Sequence, residues 1–302
     1  MSEDGESPHA RLLGQEFGAV ARDGHKETLA LIDSLSKYGA DLVIRGFHSS
    51  PREMEDVLVL CILLKQVVAM LDGIRVVTEN AALMSAPLQL RAMLEASLYI
   101  DWILKADTRV RANAYYVGEV RRRREYNRRI HQGEFDQYCG DASTAEMARI
   151  KQQAAQEEIA DSRLLAEPAL APVDAAFVAQ RGKRKYDPSW HEIVGGPNVR
   201  QIAIDLGRLD EYEGIYSPAS WTMHAVNLSE HVKFKADGEV AIFAIRNPHI
   251  GSSLANNLFG AAVMLVLRTY QSVLTKYRPG EEARFAQKYL GELRALTQRR
   301  GL

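Results

Sequence analysis

The sequence predicts a mainly α-helical fold, a multi-helix bundle with one small β-hairpin near residues 232–246. Three observations predict it. Apolar residues recur at helical spacing, as at Leu29, Ile32, Leu35, Leu42 and Val43. Helix punctuation recurs too. Ser50-Pro51-Arg52-Glu53 and Ser143-Thr144-Ala145-Glu146 have the capping-box pattern, and Pro279-Gly280 ends a long apolar run. The β-prone signal is confined to VKFKADGEVAIFAIR, two short runs around Ala236-Asp237-Gly238.

Element by element, residues 1–10 are acidic and polar and are expected to be disordered. Residues 11–302 read as a single helical domain. Its first helix covers 25–45. The second, 51–79, is apolar nearly all round and is expected to be central, with Cys61 as a small buried hydrophobe. The third, 87–106, buries Leu90, Leu94 and Ile100, and places Leu88, Leu98, Tyr99 and Trp102 around Arg91 and Glu95. Asp107 is the expected cap of a fourth helix that runs to His131 through VRRRREYNRR. A polar helix over 143–166 reads as a projecting arm. Residues 167–210 are rich in Pro and Gly and less regular. A helix over 210–231, the hairpin, an apolar helix ending at Tyr277 and an amphipathic helix to Arg300 complete the chain.

Bulk composition excludes several classes. The 302 residues carry 38 basic and 39 acidic side chains, a net charge of −1, so no global field draws nucleic acid or anionic membrane. Cys61 and Cys139 form neither a disulfide framework nor a zinc spacing. The apolar runs VLVLCILL and LFGAAVMLVL fall short of the ~18–20 uninterrupted apolar residues of a membrane span. The expectation is a cytoplasmic protein without a membrane partner.

The candidate site begins with a polar ladder, Tyr216, Ser220, His224, Asn227 and His231, whose spacing stacks it along one side of a helix. Its aromatic, hydroxyl, imidazole and amide groups suit a partly buried, hydrogen-bonded surface. His224 is the candidate proton carrier, because imidazole alone titrates near neutral pH without help; a satisfied core histidine is the competing reading. Arg91 and Glu95, four apart, are either a structural ion pair reaching Tyr216 or Ser220, or an anion-binding arginine with an orienting carboxylate. Ser220 lies one turn before His224 without a G-x-S-x-G elbow, which disfavours a serine hydrolase. His224 and His231 would lie ~10 Å apart, too far for one metal ion. Neither metal nor cofactor is expected. Arg121, Arg124 and Arg128 share a helix side that can follow phosphates; the competing reading is a solvated helix balanced by Glu119, Glu125 and Glu134.

Arg91-Ala-Met-Leu-Glu95, followed far downstream by Tyr216-Ser-Pro-Ala-Ser220-Trp-Thr-Met-His224, resembles an uncharacterised bacterial family, a domain of unknown function with an Arg-x-x-x-Glu helix and a later Tyr-x-x-x-Ser-x-x-x-His helix. The likeness spans residues 25–280. That family is loosely similar to the HEPN group of helical proteins, many of them metal-independent ribonucleases of toxin–antitoxin and phage-defence systems. The resemblance implies RNA cleavage by attack of the 2′-hydroxyl on the adjacent phosphate. His224 would be base or acid, Arg91 the phosphate cation and Glu95 its orienter. Tyr216, Ser220, Asn227 and the arginine stretch would hold the substrate. This chain has no arginine four to six residues before His224, so the cation falls to Arg91 from another helix. The alternative is a non-catalytic interaction or ligand-sensing module in which the same residues form a structural network. Its 143–166 helix would then meet a protein partner or a second copy.

Overall fold

The computed structural model describes residues 13–49, 54–140, 143–216, 219–220, 232–234, 239–242, 244–246 and 252–300. The chain is mainly α-helical. Its helices are α1 (Phe17–Gly24), α2 (Lys26–Ser49), α3 (Met54–Glu79), α4 (Ala86–Lys105), α5 (Thr108–His131), α6 (Thr144–Leu165), α7 (Ala171–Arg181), α8 (Trp190–Ile193), α9 (Val199–Asp205), α10 (Leu209–Glu211), α11 (Ser252–Tyr277) and α12 (Glu282–Arg300). Val232–Phe234 (β1) and Val240–Ile242 (β2) pair antiparallel, with Val232 opposite Ile242. Residues 235–238, between them, lie outside the described residues, as do the 1–10 segment and the expected cap at 50–53.

Where the sequence reading treats 11–302 as one domain, the chain's contacts form two compact units. One holds Met1–Arg52, Leu60–Lys105 and Ile202–Leu302; the other holds Glu53–Val59 and Ala106–Gln201.

In the first unit α4 and α11 are the main packing partners, and α11 also meets α2 and α12. Leu94 and Leu98 of α4, Val266 and Leu274 of α11, and Leu35 and Leu42 of α2 are buried in its core. A glycine sets the closest approach. A Cβ at Gly39 would lie 1.9 Å from Tyr270 Oη and 2.6 Å from Val68 Cγ2. The bare backbone there lets the Tyr270 hydroxyl reach across and donate to Leu35 O at 3.0 Å. Around it, Tyr38, Tyr270, Phe285 and Tyr289 form a ring cluster with centroids 5.0 to 6.1 Å apart, close enough for edge-to-face attraction.

In the second unit α6 lies along α5 instead of projecting alone. Arg123 donates to Asp161 at 3.0 Å and Asn127 to Glu157 at 3.0 Å, an order of partners that makes the two helices antiparallel. Ser143 caps α6 as its sequence predicts, accepting from the Glu146 N–H at 3.2 Å. A Cβ at Gly118 on α5 would sit 3.1 Å from Trp190 Cβ, so this glycine admits α8.

Three local expectations need correction. Asp107 occupies the cap position of α5, but with φ +46° and no side-chain cap bond; aspartate tolerates this left-handed conformation better than most residues. The apolar α3 is not covered all round, because Ile62 and Val76 remain exposed. Cys61 is half-buried, its thiol donating to Val43 O at 3.7 Å and pushed up to about 11 by burial. By length and composition, Asp56–Glu79 and Asn257–Tyr277 are long and apolar enough to cross a membrane, though half or more of each is buried inside the protein, as in core helices.

Gly39→Ala should overpack the α2–α11 contact and destabilise the protein by about 1–3 kcal/mol, outweighing alanine's better helix propensity. Thermal melting reads the loss, and adding Tyr270→Phe, which removes the nearest clashing atom, should recover part of it.

Candidate functional site

α4 carries two polar stripes of different depth. Arg91 and Glu95 sit at the rim of its buried face. Leu90, Met93, Leu94 and Leu98 are buried, but Leu88 is exposed, so the pair is less interior than its apolar neighbours in sequence imply. The Arg91 side chain is 16% exposed and that of Glu95 33%, with Nε and Oε1 3.9 Å apart. That spacing allows Coulomb attraction but no hydrogen bond.

Tyr216 closes over this pair. Arg91 Nη2 donates to Tyr216 Oη at 2.6 Å, and the guanidinium carbon lies 3.9 Å from the ring centroid, a cation–π contact as well. Tyr212 stacks on Tyr216 with centroids 4.6 Å apart and planes at 15°. Burial lifts the Tyr216 hydroxyl above the ordinary phenol range, helped by the Glu95 charge and by the hydrogen bond between them; Arg91 opposes this. The phenol therefore keeps its proton near neutral pH, accepting from Arg91 and donating to Glu95.

The local backbone explains how Tyr216 arrives there. A continuous α-helix from Asp210 was expected; instead Leu209–Glu211 passes into a π-helical turn, Tyr212–Tyr216. The sequence contains the cause. Gly214 weakens the helix, and Pro218 has no N–H to offer the carbonyl four residues before it. Ala219 and Ser220 are again helical, with Ser220 half-buried. His224, Asn227 and His231 lie outside the described residues.

The deeper stripe of α4 was missed by sequence reasoning. Arg208, only 3% exposed, donates from Nη1 to Asp101 Oδ2 at 2.6 Å and to Ser97 Oγ at 3.0 Å. Its other edge donates from Nη2 and Nε to Glu211 Oε2 at 2.6 and 3.1 Å. The second Glu211 oxygen accepts from Arg268 of α11, and Thr269 Oγ1 lies 2.7 Å from Ser97 Oγ. One buried guanidinium thus ties α4, α10 and α11 together. A signal existed: Asp101 stands between Ile100 and Trp102 in an apolar helix. Nothing local pointed to Arg208 as its partner.

The remaining predicted residues belong to the second unit. Arg121, 5% exposed, is committed to Asp174 and to Asp187, the latter at 2.8 Å. Arg128 donates to Glu125 at 2.6 and 2.8 Å, and Arg124 is half-buried. Most of the run is thus held by carboxylates, with Arg122 on Glu119, Arg123 on Asp161 and Arg129 on Glu134.

Beside the turn lies a cleft of about 670 Å³. Gly214 and Ile215 form one wall, Met264 and Leu265 of α11 another, and Phe285 and Leu290 of α12 a third, with the Glu211–Arg268 ion pair among its few charged groups. This size and mix suit a small, mainly apolar ligand oriented by a few polar groups.

Removing the Arg208 charge should strand the Asp101 carboxylate and leave Glu211 with Arg268 alone. Arg208→Leu is expected to destabilise by about 3 kcal/mol, read as a lower urea midpoint, whereas Asp101→Asn, which keeps an acceptor for Arg208, should cost less. The tyrosines impose a pH dependence. Burial raises Tyr38, Tyr216, Tyr270 and Tyr115, the last to about 12, while the unfolded chain ionises them near pH 10. Above pH 10 the unfolded state therefore binds fewer of these protons than the folded one. The stability they contribute is full below pH 10 and lost as pH rises from 10 toward 12. A melting temperature that stays flat between pH 9 and 11.5 would contradict this.

No curated protein and no solved structure matches the chain. A match to a known family covers residues 57–240, which contain Arg91, Glu95, Arg208, Tyr216, Ser220 and His224 and stop short of α11 and α12. With more than half of its length inside that match, the chain belongs to the family of unknown function DUF5677.

Proposed function

We propose that this protein is a cytoplasmic, non-catalytic ligand-sensing module of helical architecture. A small, mainly apolar molecule occupies the cleft beside Ile215, and the Arg91–Tyr216–Glu95 clasp transmits its presence to the chain at Ala219 and Ser220. The observation that carries this reading is the double use of one turn. Glu211, Gly214 and Ile215 supply a cleft wall, and the next residue, Tyr216, holds Arg91 by ring and hydroxyl. A ligand that moves the wall must move the clasp. The π-helical geometry supports it, since such turns recur at functional sites. The surrounding charge supports it too: Glu95, Asp101, Asp210 and Glu211 outnumber Arg91, Arg208 and Arg268, which disfavours a phosphate chain here.

The test uses the dye 1-anilinonaphthalene-8-sulfonate with the full chain. The native protein should bind it, and Met264→Glu, at a 56% exposed wall position, should weaken binding at least about tenfold while leaving the melting temperature intact. Amide exchange over residues 209–216 should slow with dye bound. Binding that survives Met264→Glu, or exchange that does not change, removes the reading.

A second reading, a HEPN-like metal-independent endoribonuclease of toxin or phage-defence type, is favoured by one observation. Arg91 and Glu95 reach the segment that leads within eight residues to His224. In it His224 serves as acid or base, Arg91 and Glu95 complete the site, and Tyr216, Ser220 and Asn227 hold RNA, with a protein partner or second copy as regulator. Cleavage of RNA by the wild type, lost in a normally melting His224→Ala variant, would establish it over the sensing module.

A further inference from the structure

The first unit holds a second cavity, of opposite character. It occupies about 450 Å³ between α2 and the start of α12 and is lined by Tyr38, Arg45, Arg284, Phe285, Lys288 and Tyr289, with Glu281 as its carboxylate. All of these residues fall outside 57–240, so the pocket belongs to the flanks of this chain and not to the segment that defines its family. Its charge sets it apart from the apolar cleft, with which it shares Phe285.

Its charge is unbalanced. Glu281 accepts from Arg45 Nη2 at 3.2 Å and lies 3.7 Å from Arg278 Nε, so its one negative charge is shared by two guanidiniums. Arg284 and Lys288 add two more cations, one helical turn apart on the exposed side of α12. Like charges so spaced repel and cost the helix a few tenths of a kcal/mol, a cost that an anion between them removes. The walls are aromatic. Arg45 lies 5.5 Å from the Tyr38 ring centroid and Lys288 4.7 Å from that of Tyr289, and the Tyr289 hydroxyl, 3.3 Å from Ser34 Oγ, is a further polar group. The volume exceeds what a bare phosphate fills and lies in the range of small-molecule sites.

We propose that this pocket binds a phosphate monoester with an organic body of mononucleotide size. Arg284, Lys288 and Arg45 meet the dianion, and the half-buried Tyr38 ring flanks the organic part. Guanidinium offers bidentate donors to phosphate oxygens, and the ammonium adds a mobile point charge.

The experiment is calorimetric titration of the full chain at low salt with adenosine 5′-monophosphate, inorganic phosphate and adenosine. The expected result is saturable binding of the monophosphate, tighter than that of phosphate and undetectable for adenosine, weakening as sodium chloride rises. The Arg284→Glu/Lys288→Glu double variant should lose at least tenfold in affinity. An Arg149→Glu/Arg163→Glu variant, with the same charge change on exposed positions of the second unit, should bind normally, and melting temperatures of both confirm folding. The proposal is overturned if the monophosphate does not bind, if adenosine binds as well as it does, or if the pocket variant retains wild-type affinity.

Discussion

A guanidinium almost wholly removed from water must find counter-charge at once, and Arg208 finds it on two sides. Asp101 on α4 takes one edge and Glu211 takes the other. The geometry is demanding because a guanidinium presents its donors in a fixed plane. With both edges satisfied, the chain after Arg208 cannot swing freely. It leaves on a set path through Glu211, and Arg268 of α11 grips the same carboxylate from outside. The π-helical turn therefore starts from an anchored point. The position of Tyr216 over Arg91, and of Gly214 and Ile215 in the cleft wall, both descend from that anchor.

A gradient of depth along α4 gives its two polar stripes different work. Ser97 is fully buried and Asp101 nearly so; their partners are internal, and one Asp101 oxygen has no partner among the described residues. Such a network fixes structure: water does not compete, and any missing member leaves a costly orphan. Arg91 and Glu95 lie nearer the surface. Their attraction is screened, and their separation exceeds hydrogen-bond length. Tyr216 meets Arg91 by both ring and hydroxyl, and these contacts lie nearer to solvent than those of Arg208.

Much of this architecture was legible in the sequence, and the illegible part has a common cause. Helical periodicity and caps located α2, α4, α6 and α11 to within a few residues, because those signals are local. The four-residue spacing of Arg91 and Glu95 likewise placed them together, since spacing fixes partners on one helix. Arg208 and Asp101 are separated by 107 positions, and Arg121 from Asp174 and Asp187 by 53 and 66. No rule of spacing reaches so far. In the arginine run the local partners Glu119, Glu125 and Glu134 were legible, but Arg121 and Arg123 take theirs from α6, α7 and the loop before α8, which a reading of the run alone does not bring near. The π-helical turn was missed in a different way. Gly214 and Pro218 were visible, but the regular ladder of polar residues outweighed them.

Phe285 links the two cavities of the first unit, since its ring lines both the apolar cleft and the cationic pocket. It is also buried against Tyr38, Tyr270 and Tyr289, so it cannot shift without disturbing that cluster. Close-packed interiors respond to displacement by moving between discrete arrangements. An occupant that pressed on Phe285 from one cavity would change the shape of the other. The two cavities meet at this one residue. The same ring cluster holds Tyr270 against Gly39, where the Tyr270 and Val68 side chains leave no room for even a methyl group. The crowded Gly39 contact and the residue common to both cavities thus belong to one aromatic assembly, a part of the unit that cannot yield locally without repacking.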